Sequence, residues 1–235
     1  MTRVSVELVP RSRSGLRAEL AEVAAHLRGV DTINVPDLTR YSLRSWAGCG
    51  FARPGFAAIP HLRAVDFNPR EPLPFLPLLA QHGIDEVLVI TGDAPADMSA
   101  RVYDVDAVDL IRRLKREAPH LRVYAGLDPY RQSFVRERDY LARKLDAGAC
   151  GLFTQPFFDL RVADTWADLV PEGLPVWWGP PASSPKPVST TGGRATTPCF
   201  PARLRPRWRA TAPSRPTCCT LPASAASTPT SCRSR

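Results

Sequence analysis

The feature that most constrains this chain is a repeated unit. A short apolar, often β-branched run is followed by a segment of helical periodicity, roughly every 25 to 30 residues from Val4 to Trp178. Strands are predicted at Val4–Val9, Thr32–Val35, Ala57–His61, Glu86–Thr91, Leu121–Ala125, Cys150–Thr154 and Pro175–Trp178. Helices are predicted at Gly15–Arg28, Glu71–His82, Val105–Glu117, Phe134–Ala147 and Val162–Leu169, with one apolar face each, such as Leu16, Leu20, Val23 or Val108, Ile111, Leu114. A helix between successive strands requires parallel pairing with right-handed crossovers. Seven such units in a row make this an α/β protein and favour a (β/α)8 TIM barrel over an open sheet, here incomplete after the seventh strand.

The pattern stops at Gly179. Residues 180–235 contain eleven Pro, eight Arg and seventeen Ser or Thr, and no Asp, Glu, Asn, Gln, Ile, Tyr or Met. Such a composition cannot bury a core, so this tail is expected to be disordered. It is also what GC-rich coding DNA yields when read out of frame, and a frameshift product is the expectation, with a genuine disordered linker as the alternative. The chain thus divides into a barrel over 1–179 and a tail over 180–235. Without an eighth strand, the first and seventh strands are expected to keep open edges.

The same boundary explains the charge. The formal net charge is +8, but the tail holds nine basic residues and no acidic ones, which leaves 22 basic against 23 acidic in the body. A nucleic-acid partner is therefore not expected. Of six cysteines, Cys49 and Cys150 lie in the body and four lie in the tail with no metal-ligand spacing. No apolar run reaches the ~18 residues of a membrane span, and no signal-peptide core follows Met1, so a cytoplasmic location is expected.

Polar residues gather at the predicted carboxyl ends of the strands. In order they are Glu7, Asn34, His61, Thr91 with Asp93, Tyr124 with Asp128, and Thr154 with Gln155. In a parallel barrel this places one ring of functional groups around one mouth, where ligands bind. Each residue also has a plain structural reading. Glu7 could be a salt-bridged interior carboxylate, Asp93 a helix cap, His61 a satisfied buried imidazole, Lys144 a solvated helix residue, and Phe157 and Phe158 core. Glu7 sits among apolar neighbours, and burial would raise its pKa toward that of a general acid. No GxGxxG follows the first strand, so a Rossmann-type dinucleotide site is not supported.

The stretch KLDAGACGLFTQPFFD, Lys144 to Asp159, resembles the methylenetetrahydrofolate reductase family. Glu7-Leu8-Val9-Pro10-Arg11, Ile59-Pro60-His61-Leu62 and Val89-Ile90-Thr91-Gly92-Asp93-Ala94-Pro95 support it in order and spacing. The resemblance implies a TIM barrel that reduces 5,10-methylenetetrahydrofolate to 5-methyltetrahydrofolate in one-carbon metabolism and methionine biosynthesis, with NADH or NADPH as co-substrate and FAD as cofactor. It makes Glu7 the acid that protonates the departing nitrogen. It puts Asp93 between flavin and pterin, where its charge favours the cationic iminium, and it gives Gln155 and Phe157 to the pterin. Asn34, His61, Thr91, Gly92, Asp93, Tyr124, Asp128 and Lys144 become flavin contacts, with Lys144 near phosphate. Two positions depart from the family: Thr91 stands where Arg is common and Asp128 where His is common, and a carboxylate would repel a pyrophosphate. Direct hydride transfer from the nicotinamide is the alternative that these departures raise. From a different class comes a catalytically silent relative that binds folate or flavin, and a third reading is a truncated product that does not fold. No metal is expected, and homo-oligomerisation is admitted.

Overall fold

Seven parallel strands run side by side in the order in which the chain makes them. They were obtained in a computed structural model, which describes residues 3–95 and 101–179. The tail lies outside the described residues. The strands are β1 Ser5–Glu7, β2 Thr32–Val35, β3 Ala57–Arg63, β4 Glu86–Ile90, β5 Arg122–Leu127, β6 Gly151–Thr154 and β7 Val176–Trp177. The helices are α1 Arg13–His26, α2 Ser45–Ala52, α3 Leu76–His82, α4 Ala107–Glu117, α5 Phe134–Asp146 and α6 Leu160–Leu169. The sheet curls into a nearly closed barrel of the TIM type. Among the described residues β1 pairs only with β2 and β7 only with β6.

Alternation along the strands divides the side chains into two sets. One set, including Ile33, Val35, Leu62, Val87, Val89, Val123, Ala125 and Leu152, packs with the apolar faces of the helices. The other points into the barrel and forms a small separate cluster of Ile59, Leu88 and Tyr124, with Ile90, Phe153 and Trp177 against it. Tyr124 meets Phe153 edge-on at 5.4 Å, and Phe153 stacks on Trp177 at 5.1 Å. This filling explains why β6 begins with Gly151. A Cβ there would lie 2.7 Å from the Pro175 carbonyl and 2.8 Å from the Tyr124 ring.

A charged network closes the amino-terminal end. Arg3 forks onto the buried Glu86 through two bonds of 2.8 Å and donates to Thr32 Oγ1 at 2.9 Å. Tyr124 donates its hydroxyl to Glu86 at 2.7 Å, and Arg122 pairs with the same carboxylate at 2.7 Å. Burial pushes the Glu86 carboxyl up, but hydrogen bonds from Arg3 and Tyr124 and the two guanidinium charges outweigh it and hold the group below its ordinary range. The Arg3 guanidinium also lies over the Trp177 ring at 4.8 Å, which bridges the β1 side of the barrel to β7.

Several elements differ from the sequence expectation. Helix α2 was not expected, because Gly48 and Gly50 weaken its propensity. It forms through tertiary contacts: Trp46, Cys49 and Ala52 are buried, and a Cβ at Gly48 would meet Leu16 and Val35 at 3.2 Å, so glycine gives the closest approach. Helix α3 starts at Leu76 and not at Glu71, since Pro72 and Pro74 delay entry and Pro77 is accepted only in its first turn. Strand β5 continues through Gly126 and Leu127, which pair with Phe153 and Thr154. Gly148 takes φ 108° past the end of α5, a positive-φ backbone that glycine supplies where the helix stops.

Gly151→Ala is expected to overpack the barrel at a cost of about 1–3 kcal/mol, lowering Tm by about 2–10 °C. Gly55→Ala, where a Cβ meets nothing within 4 Å, is the control and should move Tm little. Thermal melts followed by circular dichroism compare the two.

Candidate active site

Strand β1 aims Ser5 and Glu7 inward, as the Ser5 contact to inward Asn34 shows. Asn34 donates Nδ2–H to Ser5 Oγ at 2.8 Å, and its Oδ1 lies 2.9 Å from His61 Nε2. With Nδ2 committed to Ser5, Oδ1 accepts from His61 Nε2–H, which sets the tautomer. The chain Ser5–Asn34–His61 thus links β1, β2 and β3 across the barrel interior. His61 is buried, and burial pushes its pKa down to about 4, so the imidazole is neutral.

Glu7 ends β1 one pleat above Ser5. It is exposed at the mouth and makes no hydrogen bond or ion pair with the described residues, so the expected burial is not found. The crowded barrel end still desolvates its carboxyl enough to raise the pKa above the ordinary glutamate range. Asp93 follows Gly92 beyond β4, with its carboxylate exposed. Gly92 has φ 82°, and a Cβ on it would lie 3.0 Å from Arg63. Gln155 follows β6; its backbone N–H bonds to the Leu127 carbonyl at 2.9 Å, and its side chain is exposed. Glu7, Asn34 and His61 in their strands, and Asp93 and Gln155 just after theirs, therefore all lie toward the carboxyl-end rim.

The other expected residues do not face the inner rim. Phe157 is buried in the outer core, 6.0 Å from Trp178, and the solvent-facing ring is Phe158, at 72% exposure. Tyr124 is inside the barrel, but its hydroxyl is spent on Glu86 at the opposite end. Thr91 has outward parity and bonds Tyr140 of α5 at 2.8 Å. Asp128 forms an Asx turn, accepting from Tyr130 N–H at 2.9 Å. Lys144 is buried and not solvated, behind the carboxyl end of β5. It donates to the Gly126 carbonyl at 2.7 Å, stands 3.6 Å from Glu137 and lies over the Tyr140 ring at 4.0 Å. Burial outweighs the Glu137 charge and lowers its pKa to about 8.

Two features were not foreseen. One is Arg63, two residues after His61 and so on the same inward face of β3; period-two reading extended past His61 would have found it. The other is a cleft of about 400 Å³ beside the ends of β4 and β5, lined by Thr91, Asp106, Gln132, Tyr140 and three arginines, Arg131, Arg136 and Arg143. No local signal marks it, because its walls come from the end of β4, the start of α4, a loop and one face of α5. Among the described residues no three metal-ligating side chains cluster, and no helix is long and apolar enough to cross a membrane.

The neutral state of His61 gives a pH signature. Its pKa is about 4 when folded and 6.5 otherwise, so between those values the unfolded chain binds the extra proton. This contribution is complete above pH 6.5 and is lost as pH falls toward 4, amounting to about 3 kcal/mol. Denaturant melts from pH 7 to 4 should show a steeper loss for the parent than for His61→Gln, and parallel profiles would refute the assignment.

Comparisons with known proteins agree with this architecture. The family model for methylenetetrahydrofolate reductase matches residues 51–174. The 5,10-methylenetetrahydrofolate reductase of Escherichia coli (strain K12) is 30% identical over 110 residues, 46% of this chain and 37% of that protein. The Salmonella typhimurium (strain LT2) enzyme is 29% identical over 110 residues with the same coverage. The match thus spans little more than a third of the length of these relatives. Among solved structures, 2,3-dimethylmalate lyase superposes with a TM-score of 0.51 at 13% identity, covering 74% of this chain and 65% of that one, a likeness of fold alone. The match over more than half the sequence, on the strands that carry His61, Asp93 and Gln155, assigns the chain to the methylenetetrahydrofolate reductase family.

Proposed function

We propose that this chain is an oxidoreductase that converts 5,10-methylenetetrahydrofolate to 5-methyltetrahydrofolate with NAD(P)H. The observation that carries the reading is the shared rim: Glu7, Asp93 and Gln155 end β1, β4 and β6 of one barrel, in a chain of this family. Gln155 offers both a donor and an acceptor to the pterin edge. Glu7, with its raised pKa, holds a proton nearer neutral pH than an ordinary glutamate and gives it to the nitrogen that leaves as the five-membered ring opens. Asp93 faces the resulting iminium with a fixed negative charge, which lowers the energy of the cation that accepts hydride.

The donor set around the cleft fits the pyrophosphate of FAD. Arg131 and Arg136 offer two guanidinium groups there, Arg143 is shared with the Asp106 carboxylate that also lines the cleft, at 3.4 Å, and Asp128 is not part of the lining. Lys144 serves by bracing α5 against β5, and Gly92 leaves its strand end free of a side chain. When bound, FAD would accept hydride from NAD(P)H and deliver it to the folate. A second reading, a relative that binds folate or flavin without turnover, draws on the solvent exposure of Glu7, because an exposed acid gains less from desolvation. We also read residues 180–235 as the product of a frame change; an intact evolved reading frame in the resequenced locus would refute that.

Glu7→Gln in the full chain should abolish folate reduction while oxidation of NAD(P)H by flavin stays within about twofold, both read in stopped flow. Equal loss of both would refute the acid role. Binding of flavin and folate with no turnover in the parent would favour the second reading.

A further inference from the structure

The carboxyl end of β3 carries a cation that neither the family reading nor the strand-end ring uses. Arg63 is 8% exposed and points inward on the same face as His61. Its Nη2 donates to the Asp93 carbonyl at 2.5 Å, and its Nε stands 3.4 Å from Asp66 Oδ1 without a hydrogen-bond partner. Its side chain also fills the space beneath Gly92, which explains that glycine twice over: φ 82° favours no side chain, and a Cβ would strike Arg63 at 3.0 Å.

Arg63 is the last member of a line of alternating charges. Asp66 accepts from Arg44 Nη2 at 2.7 Å. Arg44 grips Asp37 through Nε at 3.0 Å and Nη2 at 2.5 Å, and the Ser45 N–H adds a bond to Asp37 at 3.1 Å. Arg44 in turn lies over Trp46 of α2 at 4.7 Å. The line therefore starts after β2, passes the entry to α2 and the 3₁₀ turn Ala64–Asp66, and ends on the segment after β4. A backbone bond from Val65 N–H to the Thr91 carbonyl, 3.1 Å, runs beside it.

We propose that Arg63 is a positioning residue for Asp93: anchored through Asp66, Arg44 and Asp37, it holds the Gly92–Asp93 turn so that the Asp93 carboxylate faces the substrate at the barrel mouth. The inference rests on the folate reading given above. A buried guanidinium that spends one donor on a main-chain carbonyl of a glycine turn, with its charge balanced by Asp66, constrains that turn. The Asp93 carboxylate remains unpaired by it and free for a ligand. Arg63 itself does not touch the reacting atoms in this account.

The experiment uses the full chain and the variants Arg63→Ala, Asp66→Asn and Asp93→Ala. Hydrogen exchange of the Gly92, Asp93 and Ala94 amides should speed up about tenfold in Arg63→Ala, with the β1 and β6 amides unchanged. The dissociation constant for 5-methyltetrahydrofolate, read by fluorescence quenching, should rise about tenfold in the same variant and approach that of Asp93→Ala. Added guanidinium at tens of millimolar should restore both, and ammonium should not, a rescue that a general loss of stability would not show. Asp66→Asn severs the line one link away and should reproduce a weaker form of the effect if Arg63→Ala does not fold. Unchanged exchange, or unchanged folate affinity where Asp93→Ala loses it, overturns the proposal. Absence of folate binding to the parent overturns the folate reading instead, and the exchange data tell the two failures apart.

Discussion

One strand direction and a two-residue pleat decide where every functional group of this chain can go. Because all seven strands run the same way in unbroken order, each one ends at the same rim. Because side chains alternate, a residue near a strand end meets either the barrel interior or the helices, and a shift of one position exchanges the two. Ser5, Glu7, Asn34, His61 and Arg63 have inward parity. Thr91 and Thr154 do not: Thr91 bonds Tyr140 on α5, and Thr154 Oγ1 accepts from Gly179 N–H at 2.8 Å. The site is thus selected by parity as much as by residue type.

The two ends of the barrel use charge differently. At the amino-terminal end Glu86 is saturated by Arg3, Tyr124 and Arg122, an arrangement that satisfies a buried carboxylate and leaves nothing over for chemistry. Between the ends lies a packed aromatic layer of Tyr124, Phe153 and Trp177. At the carboxyl end the acids Glu7 and Asp93 are exposed and unpaired among the described residues, and the cations near them, Arg44 and Arg63, are spent on other partners. A closed floor, a filled middle and an open acidic rim give the molecule a direction. The arginine-lined cleft beside β4 and β5, which also holds Asp106, adds a recess of net positive charge near that rim.

The strands, their direction and the rim residues were legible because β-branched runs and strand-end polarity are local signals. Trp166, fully buried in α6, and Val108, Ile111 and Leu114 in α4 follow the same logic for helices. What was not legible depended on tertiary contact. Helix α2 has two glycines and no side-chain cap, and it exists because Trp46 and Cys49 find a core. Lys144 looks like a surface lysine at the end of an amphipathic helix, yet Gly126 O and Glu137 take it inside. Phe157 and Phe158 are neighbours of one type, and only packing decides that the first is buried and the second exposed. Arg63 was within reach of the sequence but fell just past the strand end as first drawn.

The central claim is that a single folate molecule touches the ends of β1, β4 and β6 at once. The most direct measurement is the coupling energy between Asp93 and Gln155 for 5-methyltetrahydrofolate binding, from a double-mutant cycle of Asp93→Ala and Gln155→Ala in calorimetry. The account predicts that each single change weakens binding and that the double change falls short of their sum, with a coupling of about 0.5–3 kcal/mol. Normal affinity in either single variant, or strict additivity of two large losses, would contradict one shared site.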